Sequence, residues 1–304
     1  MENKLFGNKS GLIGLSNLGN TCFMNSALQC LRYTIPLSAF FMRYNVQTKN
    51  ELTDAYIHLV RKTWFNQSGS YSPRKFKQAL GLSNKRFMGY SQQDSQEVII
   101  HLLDVIHESL KDIGTKNKKK RSIISDIFYG KFKQIVHCPK CGYDSITYQS
   151  FTDLEIPLCK SNSSSIDLGE CIENFITEET LDQNNLYTCD KCKQSVQAIK
   201  KMDLDILPNF LIVTLKRFDK QKKLNDLVDF PLEKFKIFNT EYDLYATVNH
   251  YGGRNGGHYT ASVLHPNGNW YKMDDSRCSK MSPDNVIDNS VYIAFFKKHC
   301  PTIK

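Results

Sequence analysis

Gly19-Asn20-Thr21-Cys22-Phe23-Met24-Asn25-Ser26 puts a cysteine where a glycine-containing turn runs into a helical pattern. From there Met24, Ala27, Leu28 and Leu31 recur at i, i+3, i+4 and i+7, so one apolar stripe faces a core. Gly19 permits the tight turn, and Asn20 or Thr21 is expected to cap orphan N–H groups of the first helical turn. The thiol then stands at a helix N-terminus, where partial positive charge favours the thiolate that attacks carbonyls. A cysteine in this position can equally be a small buried hydrophobe. Other residues must decide between the two.

Asn17, shortly before Cys22, can offer a side-chain amide donor to a substrate carbonyl. Far downstream, Gly256-Gly257-His258-Tyr259-Thr260 supplies a histidine, followed by the acidic pair Asp274-Asp275. Nucleophile, base, orienter and oxyanion donor are the parts acyl transfer needs, so the chain reads as a cysteine hydrolase.

The chain has 304 residues, 40% hydrophobic and 23% charged, the balance of a globular protein with a sizeable core. The first ten residues lack the apolar centre of a signal peptide, and the most apolar run, Phe210-Leu211-Ile212-Val213-Thr214-Leu215, is too short to span a bilayer. This argues against a membrane partner and for the cytoplasm, the nucleus or both. Ten cysteines would suit a secreted disulfide framework, but four of them form two C-x-x-C pairs, which fits a reducing compartment and a metal. Much of the +9 net charge lies in Lys116-Asn117-Lys118-Lys119-Lys120-Arg121. With no aromatic residues interleaved, this run reads as a solvated loop and argues against a nucleic-acid partner.

The first third reads as helical. Glu51 to Phe65 carries Leu52, Ala55, Tyr56 and Leu59, and a longer helix is predicted from about Ser91 to Leu110, with Ser91 and Asp94 spaced as a capping box. Its stripe of Ile99, Leu102, Leu103, Ile106 and Leu110 leaves Asp94, Glu97 and His101 on another face. That acidic face is either ordinary solvated surface or a site for a cationic peptide. From about Ile127 the pattern changes to short strands: Phe132–Val136, Ile146–Phe151, Phe210–Leu215, Leu244–Val248, His258–Leu264 and Val291–Phe296. Ser161-Asn162-Ser163-Ser164-Ser165 reads as a polar loop.

Cys138-Pro139-Lys140-Cys141 and Cys189-Asp190-Lys191-Cys192 each form a knuckle presenting two thiolates, and two knuckles complete the tetrahedral sulfur site that Zn²⁺ prefers. The pairs are too far apart for one ribbon, so they are expected to cap two hairpins that meet in space. Four thiolates leave no open coordination position, so one structural zinc per chain and no catalytic metal is expected. His137 reads as a bystander. Cys30, Cys159, Cys171, Cys278 and Cys300 read as core or surface thiols.

The stretch Gly14 to Ser26 resembles the cysteine box of the ubiquitin-specific proteases, papain-like deubiquitinating cysteine peptidases. Tyr90-Ser91-Gln92-Gln93-Asp94-Ser95-Gln96-Glu97 is similar to their Gln-Gln-Asp motif, and Leu207-Pro208 through Leu215-Lys216-Arg217-Phe218 to their central palm strand. Val248-Asn249-His250-Tyr251-Gly252-Gly253, Gly257-His258-Tyr259-Thr260-Ala261 and Trp270 to Ser276 match the histidine box. The resemblance runs in order from about Gly11 to Lys298. Phe23 stands where tyrosine is commoner, the long insertion that many relatives carry between the knuckles is missing, and regulation through their N-terminal accessory domains is not expected here.

This resemblance implies an α+β, papain-like fold shaped as a right hand, with a helical thumb, zinc-bound β fingers and a β-sheet palm. It implies a single catalytic domain over 1–304, with the thumb at about 11–125, fingers at about 126–220 and palm mainly at 204–299. Carried over by position, Cys22 is the nucleophile, His258 the base and Asp274 the orienter, with Asn17 in the oxyanion hole and Asp275 either a turn residue or an assistant through water. Gln92, Asp94, Glu97, His250 and Tyr259 fall at positions that bind substrate, with Asp94 and Glu97 gripping the arginine-bearing tail of ubiquitin. The expected reaction is hydrolysis after the terminal glycine of ubiquitin through a thioester, with ubiquitin and ubiquitinated proteins as partners. A silent ubiquitin-binding scaffold and a protease for a ubiquitin-like modifier are the alternatives; the intact Cys22, His258 and Asp274 speak against the first. Oligomeric state is left open.

Overall fold

The computed structural model describes residues 6–7, 9–66, 69–111, 121–159, 164–183, 185–218, 222–253 and 256–300. The basic run 116–120 and residues 161–163 of the serine loop lie outside them; Arg121 is described and pairs with Asp126.

Seven helices occur in chain order among the described residues: α1 (Cys22–Arg32), α2 (Ile35–Arg43), α3 (Glu51–Phe65), α4 (Arg74–Ser83), α5 (Ser95–Leu110), α6 (Ile123–Phe128) and α7 (Leu168–Phe175). The first six bury their apolar stripes in one core, with Leu28, Leu31, Leu59, Leu102 and Ile106 fully enclosed. α1 is buried on every side. Its polar residues therefore need internal partners. Gln29 donates to the Ile13 carbonyl, and Arg32 donates to the carbonyls of Gly11 and Ile13. These bonds fix the segment leading into Cys22.

The larger sheet runs in the order Arg277–Met281, Trp270–Asp274, Gly256–Leu264, Thr240–Gly253, Val291–Lys298, Phe210–Lys216, Asp153–Pro157, with Phe235–Ile237 also pairing along Thr240–Gly253. All its pairings are antiparallel except that of Asp153–Pro157 with Phe210–Lys216. One face packs on the helices. The other packs on a second core containing Leu154, Leu211, Val213 and Leu215, together with α7 residues Leu168, Cys171 and Ile172. Because both faces are covered, the central strands Phe210–Lys216 and Val291–Lys298 are continuous apolar runs rather than alternating ones.

A second sheet, antiparallel, orders Asp144–Phe151, Gly130–His137, Ile199–Ile206 and Glu179–Thr180. It projects from the second core, into which Phe132 and Leu204 pack. Among the described residues no helix is long and apolar enough to cross a membrane.

Candidate active site and four-cysteine centre

α1 begins at Cys22, as the pattern predicts, but its cap is built differently. Neither Asn20 nor Thr21 caps it with a side chain. Asn17 satisfies the turn instead, its Oδ1 accepting from the backbone N–H groups of Gly19 and Thr21. Asn20 adopts a left-handed conformation, φ 53°, and donates to the Tyr90 carbonyl. With Gly19 at φ 102°, two consecutive left-handed residues make the tight turn that presents the helix start.

The Cys22 thiol is buried, and burial is the largest influence on it, pushing its pKa above the ordinary 9.0. Backbone N–H groups of Tyr259, Phe23 and Cys22 itself pull the other way, and the nearby Asp275 carboxylate adds to the upward push. The helix terminus does favour the thiolate, as expected, but desolvation outweighs it. In the resting protein, alkylation of Cys22 by iodoacetamide should therefore rise with pH through a midpoint above 9.0. A midpoint below that value would mean that a thiolate is already present at rest.

The thiol meets the backbone N–H of Tyr259, the residue that follows His258 on the strand Gly256–Leu264. His258 Nε2 lies 2.7 Å from Asp274 Oδ1, on the neighbouring strand Trp270–Asp274. With Nε2–H donated to the carboxylate, Nδ1 keeps a lone pair. Asp275 follows at φ 48° and keeps a carboxylate oxygen within 4.8 Å of the His258 ring and of the Asp274 carboxylate. Its two oxygens accept from Asn17 Nδ2 and Asn25 Nδ2, both at 2.8 Å, while its backbone carbonyl accepts from Leu15 N–H at 2.7 Å. Asp275 thus sews the turn before Cys22 to the end of the histidine sheet. Gly14 allows the approach, because a Cβ there would lie 2.2 Å from the Ser276 carbonyl oxygen.

Asn25 is a site residue that the sequence pattern does not single out. Its signal is a polar amide on a helix whose neighbours are apolar, and the amide is buried. Tyr292 is a second such residue, and it changes the picture of Asp94. Helix α5 starts at Ser95 rather than Ser91, and its cap is Asp94 itself, whose Oδ1 accepts from Gln96 N–H. Asp94 Oδ2 accepts from Tyr292 Oη at 2.8 Å. So Asp94 does not stand on a solvated face; burial raises its pKa, with the Tyr292 and Gln96 hydrogen bonds opposing. Glu97 is half-buried and pairs with Arg86 at 2.7 Å through Oε1, while Oε2 is buried without a hydrogen-bond partner among the described residues. His101 turns elsewhere, to Ser83.

Gln92 crosses from the loop before α5 to the histidine strand, donating to Gly257 O at 2.8 Å and accepting from Gly257 N–H at 3.1 Å. The Tyr259 hydroxyl lies against the Ser95 backbone N–H. His250 is buried, edge-on to Phe218 and tilted against Tyr259, and burial lowers its pKa to about 4, so it is neutral near pH 7. His250 and Tyr259 therefore build the wall of the site more than they offer free surface to it. The start of α5 is tied to the larger sheet through Gln92, Tyr259 and Tyr292, and through Gln96, which donates to Asp153 and Glu155.

The two C-x-x-C pairs do meet. Cys138 and Cys141 flank the turn between Gly130–His137 and Asp144–Phe151, and Cys189 and Cys192 the turn between Tyr187–Thr188 and Ser195–Val196. Sulfur atoms lie 3.9 Å apart for Cys138 and Cys192, and 3.6 Å for Cys141 and Cys189. All four fall within 4.8 Å of one another. A tetrahedron of thiolates at about 2.3 Å from Zn²⁺ has sulfurs about 3.8 Å apart, so the quartet could hold that ion with little rearrangement. His137 stays outside it, paired across the strands with Asp144.

Comparison with known proteins places this geometry. The family model described as ubiquitin carboxyl-terminal hydrolase matches residues 13–296. Human ubiquitin carboxyl-terminal hydrolase 2 is 33% identical over 337 residues, covering 96% of this chain and 56% of the relative. The Drosophila melanogaster hydrolase Usp2 is 32% identical, covering 95% of this chain and 35% of its own length. The chain thus spans roughly a third to a little over half of these relatives. A chain of the SAGA Ubp8/Sgf11/Sus1/Sgf73 DUB module bound to ubiquitin aldehyde superposes with a TM-score of 0.80 at 27% identity, covering 96% of this chain and 70% of that one.

Proposed function

Because the chain belongs to the ubiquitin carboxyl-terminal hydrolase family, we propose that it is a thiol-dependent deubiquitinase that hydrolyses the bond after the C-terminal glycine of ubiquitin. The observation that carries this reading is the meeting of Cys22, the His258–Asp274 pair and the Asn17–Asp275 pair, from opposite ends of the sequence, around one helix start. A relative bound to ubiquitin aldehyde supports ubiquitin as the partner. We assign the helices up to about 125 to a thumb, residues about 126–220 to fingers and mainly 204–299 to a palm, within a single catalytic domain over 1–304.

In this mechanism His258 Nδ1 takes the proton from Cys22 once substrate covers the cleft, and Asp274 stabilises the resulting imidazolium. The thiolate attacks the glycine carbonyl. An amide nitrogen has two N–H groups; Asp275 holds one of Asn17's, so the other is oriented toward the developing oxyanion, beside the Cys22 backbone N–H. His258 then protonates the leaving lysine amine, and water hydrolyses the thioester. The four cysteines hold zinc as a closed structural site that supplies folding stability to the fingers and takes no part in the chemistry. Reducing conditions in the cytoplasm or nucleus keep these thiols available.

Gln92 bridges to Gly257, the residue before His258, and a tail that ends in two glycines brings no side chains to this crossing. Asp94 and Glu97 receive its tail arginines. Arg86 already supplies Glu97 with a guanidinium, the chemical group this site would bind. The pair Asp94→Asn and Glu97→Gln keeps the cap and the Tyr292 contact but removes both charges. It should weaken kcat/KM on ubiquitin substrates by about 2–3 kcal/mol in transition-state terms. Arg86→Ala, which frees Glu97, should instead lower KM by up to about 5-fold, the range of an exposed ion pair. Unchanged kinetics in both variants would move the tail site elsewhere. The function itself is tested by initial rates on a fluorogenic C-terminal amide of ubiquitin beside the same amides of ubiquitin-like modifiers. Turnover of the ubiquitin amide alone is the expected result, and turnover of another modifier instead would replace the substrate.

A further inference from the structure

Two cysteines outside both sites described above lie closer together than the contacting pairs of the quartet. Cys159 follows the strand Asp153–Pro157, and Cys171 sits in the middle of α7. Their sulfur atoms are 2.8 Å apart, against 3.6 Å and 3.9 Å in the four-cysteine centre. A shared tetrahedral metal would hold them about 3.8 Å apart, so the separation is too short for that chemistry. It is also well inside ordinary contact between unbonded sulfurs and only about 0.8 Å beyond a disulfide bond. The Cys159 backbone N–H donates to Cys171 Sγ at 3.3 Å, which fixes the approach. No histidine, aspartate or glutamate joins them in a metal-holding group among the described residues.

The two thiols differ in access. Cys171 is buried in the second core, and burial, followed by its neighbour Cys159, pushes its pKa up to about 12. Cys159 is partly exposed. We propose that Cys159 and Cys171 are a peroxide-sensitive dithiol that closes to a disulfide and pins α7 to the end of the strand Asp153–Pro157.

Peroxide oxidises Cys159 first, giving its sulfenic acid and one water. The Cys171 sulfur then attacks the sulfenic sulfur; the S–S bond forms, the S–O bond breaks, and the hydroxyl leaves as a second water with the Cys171 proton. Two thiols are oxidised and one peroxide is reduced. The bond joins elements with a structural link in each direction. Phe175 at the end of α7 packs on Phe132 of the strand Gly130–His137, and Asp153 accepts from Gln96 on α5. Closing it restrains a short loop, which stabilises the folded chain chiefly by limiting the unfolded one.

The test treats the full chain with hydrogen peroxide, blocks remaining thiols under denaturing conditions and maps the peptides by mass. The expected product is a linked Cys159–Cys171 peptide lacking two hydrogens, separated by a dithiol reductant. The unfolding midpoint of the treated protein should rise by about 5 °C. Cys159→Ser should give neither the linked peptide nor the rise, and it touches no residue of the proposed catalytic centre. The exposed Cys300 reports the oxidant dose. If Cys300 is fully oxidised while Cys159 and Cys171 are recovered as separately blocked thiols, or Cys159 as a sulfinic acid, the proposal is overturned.

Discussion

Replacing Cys22 with alanine is expected to remove hydrolysis of ubiquitin conjugates, by at least about 10⁴-fold in kcat, while ubiquitin still binds. Only the sulfur proposed to attack is lost, and the helix that carries it keeps its other buried contacts. His258→Ala should be nearly as damaging, and the double variant little worse than either, because base and nucleophile act as one unit. Asp274→Asn should cost less than His258→Ala, since its amide still contacts Nε2 while losing the charge that stabilises the imidazolium. Steady-state rates of wild type and these variants on one ubiquitin substrate check the order. Substantial turnover by Cys22→Ala would remove the cysteine from the chemistry.

The second large effect concerns the four-cysteine centre. Structural zinc contributes on the order of 10 kcal/mol of apparent binding free energy, and that energy is folding energy. Serine in place of any one of Cys138, Cys141, Cys189 or Cys192 should release the metal and cost several kcal/mol in the sheet built on Gly130–His137 and Asp144–Phe151. Elemental analysis should give about one zinc per wild-type chain, and hydrogen exchange in the serine variants should show loss of protection confined first to those strands. His137→Ala should retain the zinc, since that ring pairs with Asp144 and not with the quartet. Wild-type protein prepared without chelator and free of zinc would refute the assignment.

Much of this arrangement is legible in the sequence. Helical periodicity marks α1, α3 and α5, because each buries an apolar stripe against one core. The six predicted strands all occur, each longer than the apolar run that announces it, since strand ends continue into polar residues such as Lys297 and Lys298. The quartet is readable because two closely spaced cysteine pairs in one chain rarely serve anything but a metal or redox chemistry. What the sequence hides depends on contacts between distant parts of the chain. Asn17 reads as an oxyanion donor, yet it also caps the turn and holds Asp275, and a lone sequence position does not display three bonds. Asp94 reads as a charge on an exposed face, but Tyr292, from the last strand, covers it. The thiol's environment is hidden for the same reason: helix polarity is local and visible, whereas the burial that outweighs it belongs to a helix packed against strands from the far end of the chain, Gly256–Leu264 among them.

One reacting atom, the Cys22 sulfur, is expected to face the C-terminal glycine of ubiquitin. Ubiquitin carrying an electrophile in place of its C-terminal carboxylate, incubated with the full chain and mapped by mass, tests this most directly. The predicted result is one ubiquitin per chain attached at Cys22, with no adduct in Cys22→Ala although that variant still binds the probe. Attachment at another cysteine, or reversible binding without any adduct to the wild-type chain, would contradict it.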